Sequence, residues 1–185
     1  MPDLAQALRQ SDVIHDRAAI DAAIARMADA IARHCAGQSL LLLTVMHGGM
    51  FFATELALAL GRDPSLAVDF DYLHATRYRG QTSGGELLWK HHPATPLQGR
   101  HVLLVDDILD EGYTLAAVRD WCRQQGAASV RIAVLAWKRH GRGVPGFAPD
   151  HYGLEVPDRY VYGFGMDYHE QGRNLPDIHA LRESA

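Results

Sequence analysis

Apolar positions follow two different patterns along this chain, and the change of pattern marks its elements. Between residues 16 and 36 they recur every three or four positions, and a glycine follows. The positions are Ile20, Ile24, Met27, Ile31 and Cys35, with Gly37 after them. This spacing predicts an amphipathic helix over 16–36. Residues 39–46 are instead a short continuous apolar run, which predicts a strand buried on both faces.

The same two patterns then repeat along the chain. They predict helices over 50–60, ending at Gly61, and over 112–125, ending at Gly126, and further strands over 66–75, 101–105 and 129–138. Strands that alternate with helices predict an α/β fold, with a central, mainly parallel sheet flanked by helices.

Two segments lack a clear period. Residues 76–100 are rich in Gly, Pro and polar side chains, with only 86–89 strand-like, and are interpreted as a long mobile loop or a loose hairpin. Residues 139–185 are irregular, with short strands such as 159–166. We expect one domain over 1–185, with an N-terminal helical segment over 1–38 and a C-terminal segment over 139–185.

Composition narrows the class of protein. The 185 residues are 48% hydrophobic and 22% charged, with a formal net charge of −4, which fits a globular protein and gives no basic surface for nucleic acid. The two cysteines have no metal-binding or disulfide spacing. We find neither a targeting segment nor an apolar run long enough to cross a membrane, and we expect a cytoplasmic protein with no membrane or nucleic-acid partner.

Acidic residues gather where the strand over 101–105 ends. In an open parallel sheet ligands bind beyond the carboxyl ends of the strands, where three polar turns fall, at 47–49, 106–114 and 138–143. Gly112 and Thr114 predict a turn whose amides can hold an anion. Carboxylates beside an anion need a cation or sugar hydroxyls between them, so Asp106 and Asp107 fit a ribose with Mg²⁺ nearby.

Asp110 could then act as a base. Two other interpretations of this acidic stretch are open. It could be a solvated loop in which Asp110 caps the helix. It could also belong to a receiver domain, although such a domain needs about 110 residues, more than follow Asp107.

The stretch "VLLVDDILDEGYTL" (102–115) resembles the phosphoribosyl pyrophosphate (PRPP) signature of type I phosphoribosyltransferases, and residues 39–179 resemble their hypoxanthine-guanine branch. The resemblance implies the type I phosphoribosyltransferase fold, with a flexible loop and a small hood over 139–185. It implies catalysis by Asp110 and a PRPP site. The PRPP-binding residues are Asp106, Asp107, Asp110, Glu111, Gly112, Tyr113 and Thr114.

The resemblance also implies the other subsites. Lys138 would bind the C6 oxygen of a 6-oxopurine, and "VPDRYVYGFGMDYHEQGRNL" (156–175) resembles the segment that binds purine and pyrophosphate. Further purine-binding residues would be Tyr160, Val161 and Asp167, pyrophosphate would contact His47, Gly48 and Arg173, and Mg²⁺ would be held by Asp106, Asp107 and Asp167. The peptide entering the pyrophosphate loop, Met46–His47, is often cis in this family.

Three residues depart from the family pattern. Glu111 stands where a threonine is usual, His47 where many relatives carry a lysine or arginine, and Arg77 where the lid has a serine before its tyrosine, here Tyr78. An ionised Glu111 cannot donate to a phosphate and repels it, unless it turns outward. A histidine is cationic only in part near neutral pH, whereas lysine and arginine are fully charged, so pyrophosphate affinity is expected to depend on pH.

The expected activity is purine salvage: transfer of 5-phosphoribosyl from PRPP to hypoxanthine, guanine or both, giving IMP or GMP and pyrophosphate. Two alternatives stay open, a xanthine-preferring enzyme and a catalytically weak regulatory homologue that binds nucleotides. Relatives are commonly dimers or tetramers, so a homodimer or homotetramer is expected.

Overall fold

A computed structural model describes residues 3–77 and 87–183. The helices are α1 (Leu4–Arg9), α2 (Arg17–His34), α3 (Gly49–Leu60) and α4 (Tyr113–Gln124). The strands are β1 (Ser11–His15), β2 (Ser39–Val45), β3 (Ala67–Arg77), β4 (Leu87–His91), β5 (His101–Leu109), β6 (Ser129–Lys138), β7 (His151–Val156), β8 (Val161–Tyr162) and β9 (Ile178–Leu181). No helix in these two ranges has both the length and the apolar character that a bilayer crossing requires.

The central sheet has the order β4-β3-β2-β5-β6-β7 and is parallel except for β4, which confirms the predicted α/β architecture. Its middle strand β2 is buried on both faces because successive leucines point to opposite sides. Leu40 and Leu42 pack into the layer that contains α2 and α3. Leu41 and Leu43 pack into the layer that contains α4.

A second, smaller sheet joins the two ends of the chain. Its order is β1-β9-β8, and both pairs of strands are antiparallel. The hood therefore includes residues 11–15, which the sequence interpretation had placed in a helical segment. Short polar strands such as β1 carry little local signal, because their stability depends on a partner far away in the chain, here β9.

Strand β5 is longer than predicted. The sequence placed Asp106 and Asp107 after the strand, but they lie inside it: β5 runs to Leu109 and pairs with β6 from His101 to that residue. This pairing keeps the backbone extended even where the side chains are acidic.

The segment before β5 contains a hairpin, since β3 and β4 pair antiparallel. Of the two predicted lid residues, Arg77 ends β3, and Tyr78 lies outside the described residues.

Candidate active site

The turns after β2 and β5 and the last residue of β6 meet in one cleft of about 580 Å³. Most of the residues selected from the sequence line it: His47, Gly48, Asp106, Asp107, Asp110, Gly112, Thr114, Lys138, Tyr160, Val161, Asp167 and Arg173. The carboxyl ends of parallel strands lie at one edge of a sheet, which is why residues so far apart in sequence converge.

The turn after β2 is packed tightly against β5. The peptide bond between Met46 and His47 is cis, as the resemblance implies. A β-carbon on Gly48 would lie 2.2 Å from Asp107 Oδ2, so a larger residue here would displace the Asp107 carboxylate. The His47 ring lies edge-on to the His74 ring, with 4.6 Å between their centroids.

Two adjacent carboxylates form the floor of the cleft. Burial, and then the charge of Asp107, raise the pKa of Asp106 well above its usual range. Burial also raises the pKa of Asp107, although its Oδ1 accepts a hydrogen bond of 2.7 Å from the Ile108 N–H. Arg173 acts in the opposite direction and favours the ionised form, with 3.9 Å between its Nη1 and Asp107 Oδ2. The two carboxylates are therefore crowded together, and a bound cation here would favour their ionised forms.

Arg173 holds the opposite wall together. Its Nη2 lies 2.7 Å from Asp167 Oδ1, and its Nη1 donates to the Gly165 carbonyl oxygen over 2.7 Å. A guanidinium fixed in this way can still present remaining donors to an anion in the cleft.

Asp110 and Lys138 face each other across the centre of the site. Lys138 is only 8% exposed, and its Nζ donates to Asp110 Oδ2 over 2.8 Å. His140 contacts the other oxygen of the same carboxylate. Burial raises the pKa of Asp110, but the hydrogen bonds from Lys138 and His140 outweigh burial and bring the pKa below its ordinary value. Asp110 is therefore ionised at neutral pH and able to accept a proton or a hydrogen bond.

Glu111 and Tyr113, two members of the predicted PRPP-binding set, do not line the cleft, and their role in PRPP binding stays a prediction. The Glu111 side chain is exposed and borders a neighbouring hollow, where its carbonyl oxygen accepts a 3.0 Å hydrogen bond from the Val144 N–H. Gly112 turns the backbone so that Glu111 faces this hollow, and its φ of +78° is a conformation that favours glycine. The structure thus places Glu111 outside the cleft.

The hood supplies the aromatic side of the site. Tyr160 is 44% exposed, so much of its ring is free to stack on a planar base, and Val161 follows it at the start of β8. The Tyr160 hydroxyl donates to the Asp167 carbonyl oxygen over 3.3 Å. This bond connects the aromatic wall to the wall that contains Arg173.

The cleft also contains residues that the sequence interpretation did not select, among them His74, Lys90 and Glu170. His74 and Lys90 lie on β3 and β4, in a segment interpreted only as strand and lid. His140 lies in the turn 138–143, which was placed correctly at the carboxyl edge, although only Lys138 was selected from it. The signal was the polar turn itself, which did not indicate which side chain points inward.

The donor set fits Mg²⁺. Mg²⁺ is commonly bound by one or two carboxylates together with substrate phosphates and waters, and Asp106 and Asp107 offer such carboxylates beside the turn expected to hold a phosphate. Within 3–77 and 87–183 no three acidic, histidine or cysteine side chains form a ready metal site. The third predicted ligand, Asp167, is paired instead with Arg173.

Three features lie together at the carboxyl edge of the parallel sheet: an acidic strand end, an anion-binding turn and an antiparallel hood. This combination defines a phosphoribosyltransferase. The family model described as "Phosphoribosyl transferase domain" matches residues 10–169. The chain belongs to the type I phosphoribosyltransferase family.

Relatives and solved structures of similar length support the assignment to this family. The hypoxanthine-guanine phosphoribosyltransferase of Streptococcus pneumoniae is 34% identical over 172 residues, 92% of each chain. The hypoxanthine-guanine-xanthine phosphoribosyltransferase of Tritrichomonas foetus is 31% identical over 100% of this chain and 95% of its own. A ternary substrate complex of a Trypanosoma cruzi hypoxanthine phosphoribosyltransferase mutant is 30% identical with a TM-score of 0.86, covering 92% of this chain and 94% of that one.

Proposed function

We propose that the protein catalyses transfer of the 5-phosphoribosyl group from PRPP to hypoxanthine or guanine, giving IMP or GMP and pyrophosphate. The observation that carries this proposal is the ion pair of the buried Lys138 with the half-exposed Asp110, between the acidic end of β5 and the aromatic wall. An ammonium suits the C6 oxygen of a 6-oxopurine, and a carboxylate suits the proton on its N7.

In the reaction, purine N9 attacks C1 of the ribose, the N9–C1 bond forms, and the bond from C1 to pyrophosphate breaks. Asp110 accepts the N7 proton, which leaves the electron pair in the purine ring and makes N9 a better nucleophile. Lys138 orients the base, while Tyr160 stacks on its face. Bringing the two substrates together in one cleft lowers the entropic part of the barrier.

The ribose and the phosphates are assigned to the other side of the cleft. Asp106 and Asp107 accept hydrogen bonds from the ribose hydroxyls, and the turn at Gly112 and Thr114 binds the 5′-phosphate through its amides. Asp106 and Asp107 would hold Mg²⁺, which would supply positive charge to the pyrophosphate as it leaves. His47, Gly48 and Arg173 are assigned to the pyrophosphate.

The choice among purines is the finer question. The relative from Tritrichomonas foetus includes xanthine in its printed name, so a xanthine-preferring enzyme is the second candidate. Lys138 fits any 6-oxopurine and does not distinguish between them. A regulator that only binds nucleotides has less support, because Asp110 and Lys138 meet in the cleft beside the acidic end of β5, where a purine and a ribose could be brought together.

A panel of bases tests the proposal. Purified protein with Mg²⁺ and PRPP is incubated separately with hypoxanthine, guanine, xanthine, adenine and uracil, and new nucleotide is separated by chromatography. We expect nucleotide from hypoxanthine and guanine and none from adenine or uracil. Omitting Mg²⁺ is the control. Turnover confined to xanthine would favour the second candidate, and no turnover with any base would contradict phosphoribosyl transfer.

A further inference from the structure

His140 lies two residues beyond the end of β6 and shares Asp110 with Lys138. Its side chain is 5% exposed, and Nε2 lies 2.5 Å from Asp110 Oδ1. Lys138 Nζ lies 2.8 Å from the other oxygen, Oδ2. Each oxygen of the carboxylate therefore has its own partner.

The backbone of the following loop determines which nitrogen of His140 carries the proton. The Arg142 N–H donates to His140 Nδ1 over 3.1 Å, so Nδ1 is the acceptor. A neutral imidazole with an acceptor at Nδ1 has its proton on Nε2, which is the nitrogen that faces Asp110. The loop is itself anchored, because Arg142 forms a two-bond ion pair with Asp158, with both distances 2.6 Å.

We propose that His140 is a positioning residue for the transfer reaction: its Nε2–H fixes Asp110 by one oxygen so that the other faces the incoming base. The proposal rests on the proposed function, in which Lys138 binds the purine C6 oxygen. Lys138 is flexible and must direct a donor toward the base when the base arrives, which weakens its hold on Oδ2. His140 keeps its hold on Oδ1 throughout, and Oδ2 becomes available for the N7 proton.

Without His140 the carboxylate is held from one side only. The terminal torsion of an aspartate is broad, so Asp110 can then rotate toward Lys138 and away from the purine. Misplacing a reacting group by about 1 Å can cost on the order of 100-fold in rate. The rate of the chemical step should therefore fall, whereas PRPP binding should not change, because the PRPP site lies on the other side of the cleft.

Two amide substitutions separate this role from a structural one. In His140→Gln the amide nitrogen occupies the place of Nε2 and can still donate to Asp110. In His140→Asn the amide reaches only the place of Nδ1, so it preserves an acceptor for the Arg142 N–H but does not reach Asp110. A role in positioning Asp110 requires the glutamine variant to work, whereas a role in shaping the loop requires the asparagine variant to work.

We expect His140→Asn to lower kcat at least tenfold while the KM for PRPP stays within twofold, and His140→Gln to keep kcat within threefold of wild type. His101→Asn is the matched control, since His101 lies at the opposite end of β5 and its Nδ1 contacts Ser129 Oγ at 2.9 Å, a contact that asparagine can retain. Thermal melting of each variant verifies folding. An active Asn variant, or a folded Gln variant as impaired as the Asn variant, would overturn the proposal.

An NMR spectrum tests the contact between His140 and Asp110 without any enzyme turnover. With ¹⁵N-labelled histidine at pH 8, two-bond ¹⁵N–¹H correlations distinguish the two tautomers, and the signals missing from His140→Gln identify His140. We expect the Nε2–H form, and an Nδ1–H form would overturn the proposal even in an active enzyme. Failure of the proposed function would be distinct, because wild-type protein would then form no nucleotide with any base.

Discussion

Asp110 is the residue on which the proposed chemistry depends. Asp110→Asn keeps the shape of the side chain and removes its ability to take a proton. Because general base catalysis contributes about 10²–10⁴-fold, we expect kcat for nucleotide formation to fall at least 100-fold. The Kd for PRPP, measured by calorimetry with Mg²⁺ present, should stay within threefold of wild type. Equal losses in rate and in PRPP binding would contradict a role as base.

Asp106 is a site residue whose ionisation lowers the free energy of unfolding. Its raised pKa means that the folded chain binds a proton more tightly than the unfolded chain, so stability falls as the pH rises through the interval between the two pKa values. In Asp106→Asn this penalty is absent, while the side-chain oxygen can still accept from the Asp107 N–H. We expect the variant to be more stable than wild type at pH 7, because the folded chain no longer has to hold this carboxylate ionised.

The measurement is denaturant unfolding without Mg²⁺ at pH 7 and at pH 4. The advantage of Asp106→Asn should shrink at the lower pH, where the wild-type carboxyl is protonated. Asp29→Asn, on the exposed face of α2, is the control for loss of a surface charge. A variant no more stable than wild type at pH 7 would show that the acidic pair carries no such penalty.

Glu111 departs from the family pattern without entering the cleft. Because its side chain lies outside, Glu111→Thr should leave the KM for PRPP within twofold of wild type. Thr114→Val removes a hydroxyl from inside the cleft and should raise that KM at least threefold, which shows that the assay responds to this turn. Steady-state kinetics with PRPP varied gives both values. A tenfold lower KM for Glu111→Thr would mean that the carboxylate does reach the phosphate.

At the scale of elements, the sequence predicted those whose signal is local. Helix α2 and strand β2 follow clear periods because each buries a defined face or both faces. Strand β1 and the far half of β5 were not predicted, since β1 depends on pairing with β9 and β5 continues because β6 lies beside it. Such pairings override the local preferences that a sequence shows.

The site residues also divide into those that the sequence indicated and those that it did not. The rule for the carboxyl edge of a parallel sheet placed the three turns, and the resemblance selected the residues on them. It did not select His74 or His140, because a histidine in a strand or turn gives no indication of which way it faces. The resemblance also included Glu111, although this side chain lies outside the cleft. Its direction is determined by Gly112 and by the loop that contains Val144, which a match to the motif does not take into account.

The contact between the turn after β2 and β5 makes a prediction about elements. The backbone of Gly48 is in the right-handed helical region, which alanine also adopts, so Gly48→Ala acts only through the clash with Asp107. We expect kcat/KM for PRPP to fall at least tenfold. Gly61→Ala, at the other end of α3, is the matched control because its β-carbon meets nothing closer than 3.5 Å. An active Gly48→Ala enzyme would show that the two elements can separate without loss.

At the scale of the whole molecule, the two ends of the chain and the cleft are connected. Strand β9 pairs with both β1 and β8, and β8 begins at Val161 in the wall of the cleft that contains Tyr160. The hood is therefore built from both termini, and its position over the carboxyl edge of the main sheet depends on both.

One apolar face of the molecule supports the proposed homo-oligomer. Leu58 on α3 and Phe70 on β3 are 69% and 60% exposed, and Met50 and Tyr72 extend the same face around a hollow of about 580 Å³. An exposed apolar patch of this kind is typical of an interface, and an identical face on a second copy would match it in chemistry.

A single charge on this face tests the assembly. We expect light scattering during size-exclusion chromatography to give at least twice the chain mass of 20.4 kDa, and Leu58→Glu to give 20.4 kDa itself. Val13→Glu, which places the same charge at a 54% exposed position in the hood, should leave the mass unchanged. A wild-type mass of 20.4 kDa at every concentration would contradict the assembly, and dissociation by both variants would show that the effect is not specific to this face. Because α3 begins directly after the turn that contains His47, loss of the assembly should also raise the KM for PRPP.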